Sequence, residues 1–120
     1  MYIKDFIIFL SSEKRFSTHT TIAYKNDLLQ FFNFLKNNHP LNTDIQKINF
    51  KIIRNYVAFL LESDMKVSSV NRKISTLRSY FKFLVREDYL TINPMLKIIP
   101  PKSKKKLPVF VDQESMQSLL

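Results

Sequence analysis

No glycine occurs anywhere in this 120-residue chain. Glycine enters positive-φ backbone without steric cost, so its absence removes whole structural classes. Gly-rich phosphate loops, including the P-loop and the dinucleotide fingerprint, cannot be built. Tight hairpin turns that need positive φ lose their usual residue, which weighs against an all-β fold. The class left is an all-α chain punctuated by Asn and Pro. Cysteine is also absent. That excludes a disulfide framework, a thiolate metal site and a Cys nucleophile. It also fits a reducing compartment, and a cytoplasmic location is expected. The length suits one compact domain. With 45% hydrophobic residues the chain can build a modest core. No apolar run approaches the roughly 20 residues that span a bilayer, and no secretory signal pattern opens the chain.

The net charge of +9 is unevenly placed. Between Met65 and Val111 lie eleven basic residues, opposed only by Glu87 and Asp88. The rest of the chain sums to zero. Such asymmetry points to a polyanionic partner, with nucleic acid ahead of membrane. A solvated Lys-rich surface is the alternative, because charge speaks to partners and not to fold.

Apolar spacing lays out four helices. Ile3, Phe6, Ile7 and Leu10 predict a first helix near 2–14. Ser17 and Thr18 are N-cap candidates for a second, whose stripe is Tyr24, Leu28, Phe31, Phe32 and Leu35. It should end at Asn38-His39-Pro40. Residues 39–48 read as a loop. Asn49 can cap a third helix carrying Ile53, Tyr56, Val57, Leu60 and Leu61 to about Ser63. Ser68 is the N-cap candidate for a fourth, with Val70, Ile74, Leu77, Phe81 and Leu84 as its stripe to about Glu87. Pro94 fits the first position of one more short helical turn. Lys102–Lys106 reads as an extended basic tether, and Asp112 caps a final amphipathic segment.

The fourth helix is the best functional candidate. Its polar face gathers Ser68, Arg72, Ser75, Thr76, Ser79 and Arg86, flanked by Arg78 and Lys82. Small hydroxyls let a helix approach a groove closely, and Arg pairs with phosphate or guanine. An ordinary solvent-facing helix surface is the competing reading. Phe83 is the one Phe that falls toward this polar side. The hydroxyl-rich start of the second helix, with Thr20 and Lys25, offers a similar set, although such first turns often serve only as caps. No catalytic constellation is visible: the two His lack a nucleophile signature, and the acids are scattered and mostly cap or flank helices. No metal constellation, cofactor or small-molecule ligand is expected.

The order and spacing of these pieces resemble the N-terminal core-binding, SAM-like domain of tyrosine recombinases, the phage integrase and XerC/XerD type. The landmarks are Phe6–Leu10, then Ser17, Thr20, Tyr24, Asp27, Leu28, Phe31, Phe34 and Leu35. After them come Ser68, Arg72, Lys73, Ile74, Ser75, Leu77, Arg78, Tyr80, Phe81, Phe83 and Leu84, followed by Asn93-Pro94, Pro101-Lys102 and Leu107-Pro108. Val70 and Asn71 depart from the Thr and Ile-like residues that members often carry there. The resemblance implies a DNA clamp within an enzyme that cuts and rejoins DNA at specific sites. It implies residues 1–100 as the helical DNA-binding domain, 101–111 as a basic interdomain linker and 112–120 as the start of a truncated catalytic domain. The resemblance implies catalysis through an H-x-x-R box, which neither His19 nor His39 begins, so the chain itself is expected to be a fragment that binds DNA and does not cleave it. Expected partners are double-stranded DNA and other recombinase subunits, with no membrane. The expected DNA-binding residues are Thr20, Lys25, Ser69, Arg72, Lys73, Ser75, Arg78, Lys82, Arg86, Lys102, Lys104 and Lys105. A stand-alone helical DNA-binding or protein-interaction module without recombinase activity, the latter using the broadly apolar first helix, is the reading kept beside it.

Overall fold

The computed structural model of the chain describes residues 2–101. The tether Lys102–Lys106, the Asp112-capped segment and most of the two C-terminal domain divisions lie outside the described residues. Four α-helices and no strand are present among the described residues: α1 (Ile3–Ser12), α2 (Thr18–Asn38), α3 (Phe50–Glu62) and α4 (Val67–Arg86). Two short 3₁₀ turns, Pro40–Asn42 and Ile45–Lys47, occupy the loop between α2 and α3.

Side-chain caps start two of the helices. Ser17 accepts a hydrogen bond from the Thr20 N–H at the head of α2, and Asn49 accepts from the Ile52 N–H at the head of α3. Each satisfies one of the donors that a helix start leaves unpaired. The head of α4 differs from expectation. Lys66 takes the cap position, with no side-chain cap, and Ser68 falls inside the first turn. Without glycine, the chain places Arg15, Asp64 and Asp88 in the left-handed region after α1, α3 and α4. Asp tolerates this conformation better than most residues, so it takes the part expected of Asn. Pro94 begins a turn and not a helix; Asn93 Oδ1 accepts from the Met95 N–H there.

α4 is the central helix. Val70, Ile74, Leu77, Tyr80, Phe81 and Leu84 are buried along it, against Leu28, Phe31 and Leu35 of α2 and Ile53, Tyr56 and Leu60 of α3. Edge-on aromatic pairs run through the core: Phe31–Tyr56 at 5.0 Å and Phe6–Tyr80 at 5.4 Å between ring centroids. Burial raises the Tyr56 and Tyr80 phenols well above their ordinary range, and the nearby Asp27 carboxylate adds to the effect at Tyr56. α1 lies over the far end of α4 through Phe6 and Phe9, which pack on Phe83 at 5.5 and 5.0 Å. Phe83 is therefore core and not surface, because α1 covers the sector of α4 that periodicity alone assigns to solvent. The segment after α4 folds back, burying Met95 and Ile98, and Tyr89 stacks on Tyr2 at 3.8 Å.

Candidate nucleic-acid interface

The expected polar face of α4 divides into two parts. Near its start, the face meets a carboxylate from α2. Asp27, in the middle of α2, is only 4% exposed. Its Oδ1 accepts from the Arg72 guanidinium and the Lys73 ammonium, each at 2.9 Å. Its Oδ2 accepts from the Thr76 hydroxyl, also at 2.9 Å. Lys73 donates again to the Gln30 side-chain oxygen. A buried carboxylate is tolerable only when paired and hydrogen-bonded, and here both oxygens are used.

This arrangement corrects two expectations. Lys73 is buried with its ammonium spent on Asp27 and Gln30, so it is withdrawn from the surface as a DNA contact. Thr76 likewise leaves the polar face for the α2–α4 interface. Asp27 itself neither caps nor flanks a helix. Arg72 stays on the surface, with its side chain 59% exposed while one nitrogen is held by Asp27. Two cations on one carboxylate leave a net positive charge, and the exposed member is a guanidinium with further donors to offer.

At the other end of α4, three cations surround a groove of about 320 Å³. Lys82 and Arg86 come from α4 and Lys14 from the turn after α1, with Ser79 on the same wall. Phe9, Phe16, Tyr24 and Phe83 supply apolar lining. The Arg86 guanidinium sits 4.7 Å from the Phe9 ring centroid and the Lys14 ammonium 6.0 Å from it, so one ring steadies both cations. Arg86 also meets Glu13 at 3.2 Å and Glu87 at 3.3 Å. These pairs are exposed and weak, so they do not silence the cation.

The remaining expected residues are spread over the surface. Thr20 is half-buried and its hydroxyl is paired with Ser17 at 2.9 Å, so it belongs to the α2 cap. Lys25 is exposed one residue beyond Tyr24 of the groove. Ser75 is exposed and Ser69 half-buried on α4. Arg78 is half-buried and donates to the Ile98 carbonyl at 2.9 Å. Lys102, Lys104 and Lys105 lie outside the described residues. Lys14 was missed because some 70 residues separate it from Lys82, and only the packing of α1 on α4 brings them together. Among the described residues, no group of three or more His, Asp or Glu side chains could hold a metal ion, and no helix is long and apolar enough to cross a membrane.

Comparison with known proteins gives a consistent picture. The profile of the phage integrase N-terminal SAM-like domain matches residues 3–88. The chain is 40% identical to tyrosine recombinase XerC of Staphylococcus epidermidis, over 97% of this chain and 38% of that protein. It is 38% identical to tyrosine recombinase XerD of Rickettsia bellii, over 99% of this chain and 38% of that protein. A third relative, XerC of Halalkalibacterium halodurans, is 37% identical over 99% of this chain and 39% of its own length. The chain thus spans under two fifths of the length of these curated relatives. No solved structure matches it.

Proposed function

The chain belongs to the phage integrase N-terminal SAM-like domain family, and from that premise we propose that it is the DNA-binding clamp domain of a site-specific tyrosine recombinase acting in DNA recombination and integration. The observation that carries this reading is the groove where Lys14, Lys82 and Arg86 converge beside Ser79. Three cations from two separate elements, two of them held over the Phe9 ring and all beside a hydroxyl, suit the repeating phosphates of a duplex. Arg72 adds a guanidinium further along α4, fixed on one side and open on the other. Lys25, Ser69 and Ser75 provide contact or close-approach positions around these cations, and Lys102, Lys104 and Lys105 extend the charge beyond Pro101. Thr20 stands at the α2 cap, paired with Ser17, as a close-approach position.

In this reading double-stranded DNA is the partner, and further recombinase subunits assemble on the same DNA. No H-x-x-R box is present in these 120 residues, and the cutting and rejoining of strands is not assigned to them. Fluorescence anisotropy with a labelled duplex tests the proposal. With about six phosphates neutralised, log K should fall against log salt with a slope of about −5. Binding that is flat between 50 and 200 mM salt would overturn it.

A further inference from the structure

One buried ion pair connects two exposed side chains on different helices. The Lys73 ammonium donates to Asp27 Oδ1 at 2.9 Å and also to the Gln30 side-chain oxygen. The Arg72 guanidinium donates to the same Asp27 oxygen at 2.9 Å. Three hydrogen bonds in series thus run from Arg72 of α4 to Gln30 of α2. The Lys73 and Asp27 side chains are 6% and 4% exposed, whereas Arg72 and Gln30 stand at the surface. The buried pair fixes which atoms the outer two can offer. A carboxamide carries an acceptor at one end and donors at the other. With its oxygen committed to Lys73, Gln30 has its NH2 group left for a partner. Arg72 has N–H donors and no acceptor, and Asp27 holds one of its nitrogens. Together they make a donor-only pair across α2 and α4.

The neighbours of Gln30 on α2 are neutral. Asn26 and Asn33, about one turn to either side, are exposed carboxamides. A neutral side chain adds no charge toward a phosphate, so its value lies in matching a pattern of donors and acceptors. In the major groove guanine presents two acceptors, N7 and O6, whereas adenine sets a donor beside its N7. A donor-only pair matches the first edge and leaves the adenine donor unsatisfied. We propose that the buried Asp27–Lys73 pair is a positioning device that holds Gln30 and Arg72 as guanine-reading side chains. The inference rests on the DNA-binding reading and adds a base preference, which phosphate contacts at the groove do not supply. Gln30 and Arg72 make the contact; Asp27 and Lys73 act through them.

Competition between two duplexes of one mixed sequence tests the assignment with the full chain. One duplex carries guanine, the other 7-deazaguanine throughout, in which C–H replaces N7 while every phosphate is kept. The parent chain should bind the guanine duplex about tenfold more tightly, within the range for a paired base contact. Gln30→Ala should reduce that preference to about threefold or less. Asp27→Asn/Lys73→Met keeps the net charge; it should reduce the preference to the same extent while the salt slope stays at the parent value. Circular dichroism checks folding, and Lys73→Met alone, which leaves Asp27 paired with Arg72, stands in should the double variant unfold. Salt-dependent binding by the parent without preference between the duplexes would overturn guanine reading and leave DNA binding standing. A full preference retained without the Asp27–Lys73 pair would overturn the positioning role. Salt-independent binding by the parent would instead overturn the DNA reading, and this inference with it.

Discussion

In the first half of α4, Arg72 and Lys73 turn their charge onto the buried carboxylate of Asp27, whereas in the second half Lys82 and Arg86 leave theirs around an open groove. The residue types are alike, and the difference lies in what packs against them. α2 brings a carboxylate to the first half; α1 brings Phe9, and the turn after it a third cation, Lys14, to the second. A count of basic residues therefore overstates what a polyanion can meet. Lys73 is fully committed inside, Arg78 holds a backbone carbonyl, and Arg72 is shared between interior and surface.

The sharpest way to break this comparison is at Asp27. Asp27→Asn removes the charge that Lys73 needs, leaving a buried ammonium without a counter-charge. We expect a loss of about 3–5 kcal/mol in chemical denaturation, the range for a broken buried pair. Adding Lys73→Met should restore most of it, because an apolar side chain then fills the site. A double variant no more stable than Asp27→Asn would mean that Asp27 serves some purpose other than pairing with Lys73.

Phe83 probes the other half. Phe83→Ala should cost about 3 kcal/mol, as for a buried aromatic, since Phe6 and Phe9 of α1 lose their shared contact. A solvent-facing Phe would cost less than about 0.5 kcal/mol, so thermal or denaturant unfolding separates the two placements. The helix heads give smaller effects. Asn49→Ala should destabilise by about 1 kcal/mol through the lost bond to the Ile52 N–H. Ser68→Ala should stay within about 0.5 kcal/mol, because Ser68 caps nothing.

The smallest effect near neutral pH comes from the buried phenols. Tyr56 and Tyr80 ionise less readily folded than at their ordinary value of 10.0. Their stabilisation is fully present below pH 10.0 and declines as pH rises above it, because the unfolded chain releases those protons first. Denaturation midpoints should hold steady up to that point and then fall. Tyr56→Phe should make the fall shallower while leaving neutral-pH stability nearly unchanged, since the Tyr56 hydroxyl has no hydrogen-bond partner among the described residues.

Much of the fold is legible in the sequence because apolar spacing and capping residues are local signals. The stripes of α2, α3 and α4 and the Ser17 and Asn49 caps are read directly from neighbouring residues. Apart from the α4 cap and the turn at Pro94, the departures require a partner from elsewhere in the chain. Helical periodicity places Phe83 and Thr76 toward the polar side; α1 and Asp27 respectively bury them. Lys73 follows Arg72 in a basic run, yet one step around the helix turns it into the interface with α2. The groove is the least legible part, since it joins Lys14 to Lys82 and Arg86 only after α1 has packed. Asp27 does carry one sequence signal: it is an acid between the stripe residues Tyr24 and Leu28, where a solvent-facing carboxylate is out of place.

Under the proposed function the groove cations, and not the buried Lys73, carry the charge that meets DNA. The most direct measurement compares salt dependence of duplex binding for the parent chain, for Lys14→Gln/Lys82→Gln/Arg86→Gln, and for Asp27→Asn/Lys73→Met. Removing three phosphate contacts should make the slope of log K against log salt shallower by about 2.7, while the Asp27/Lys73 pair variant keeps the parent slope. A groove variant that retains the parent slope, or a pair variant that loses as much as the groove variant, would contradict the account.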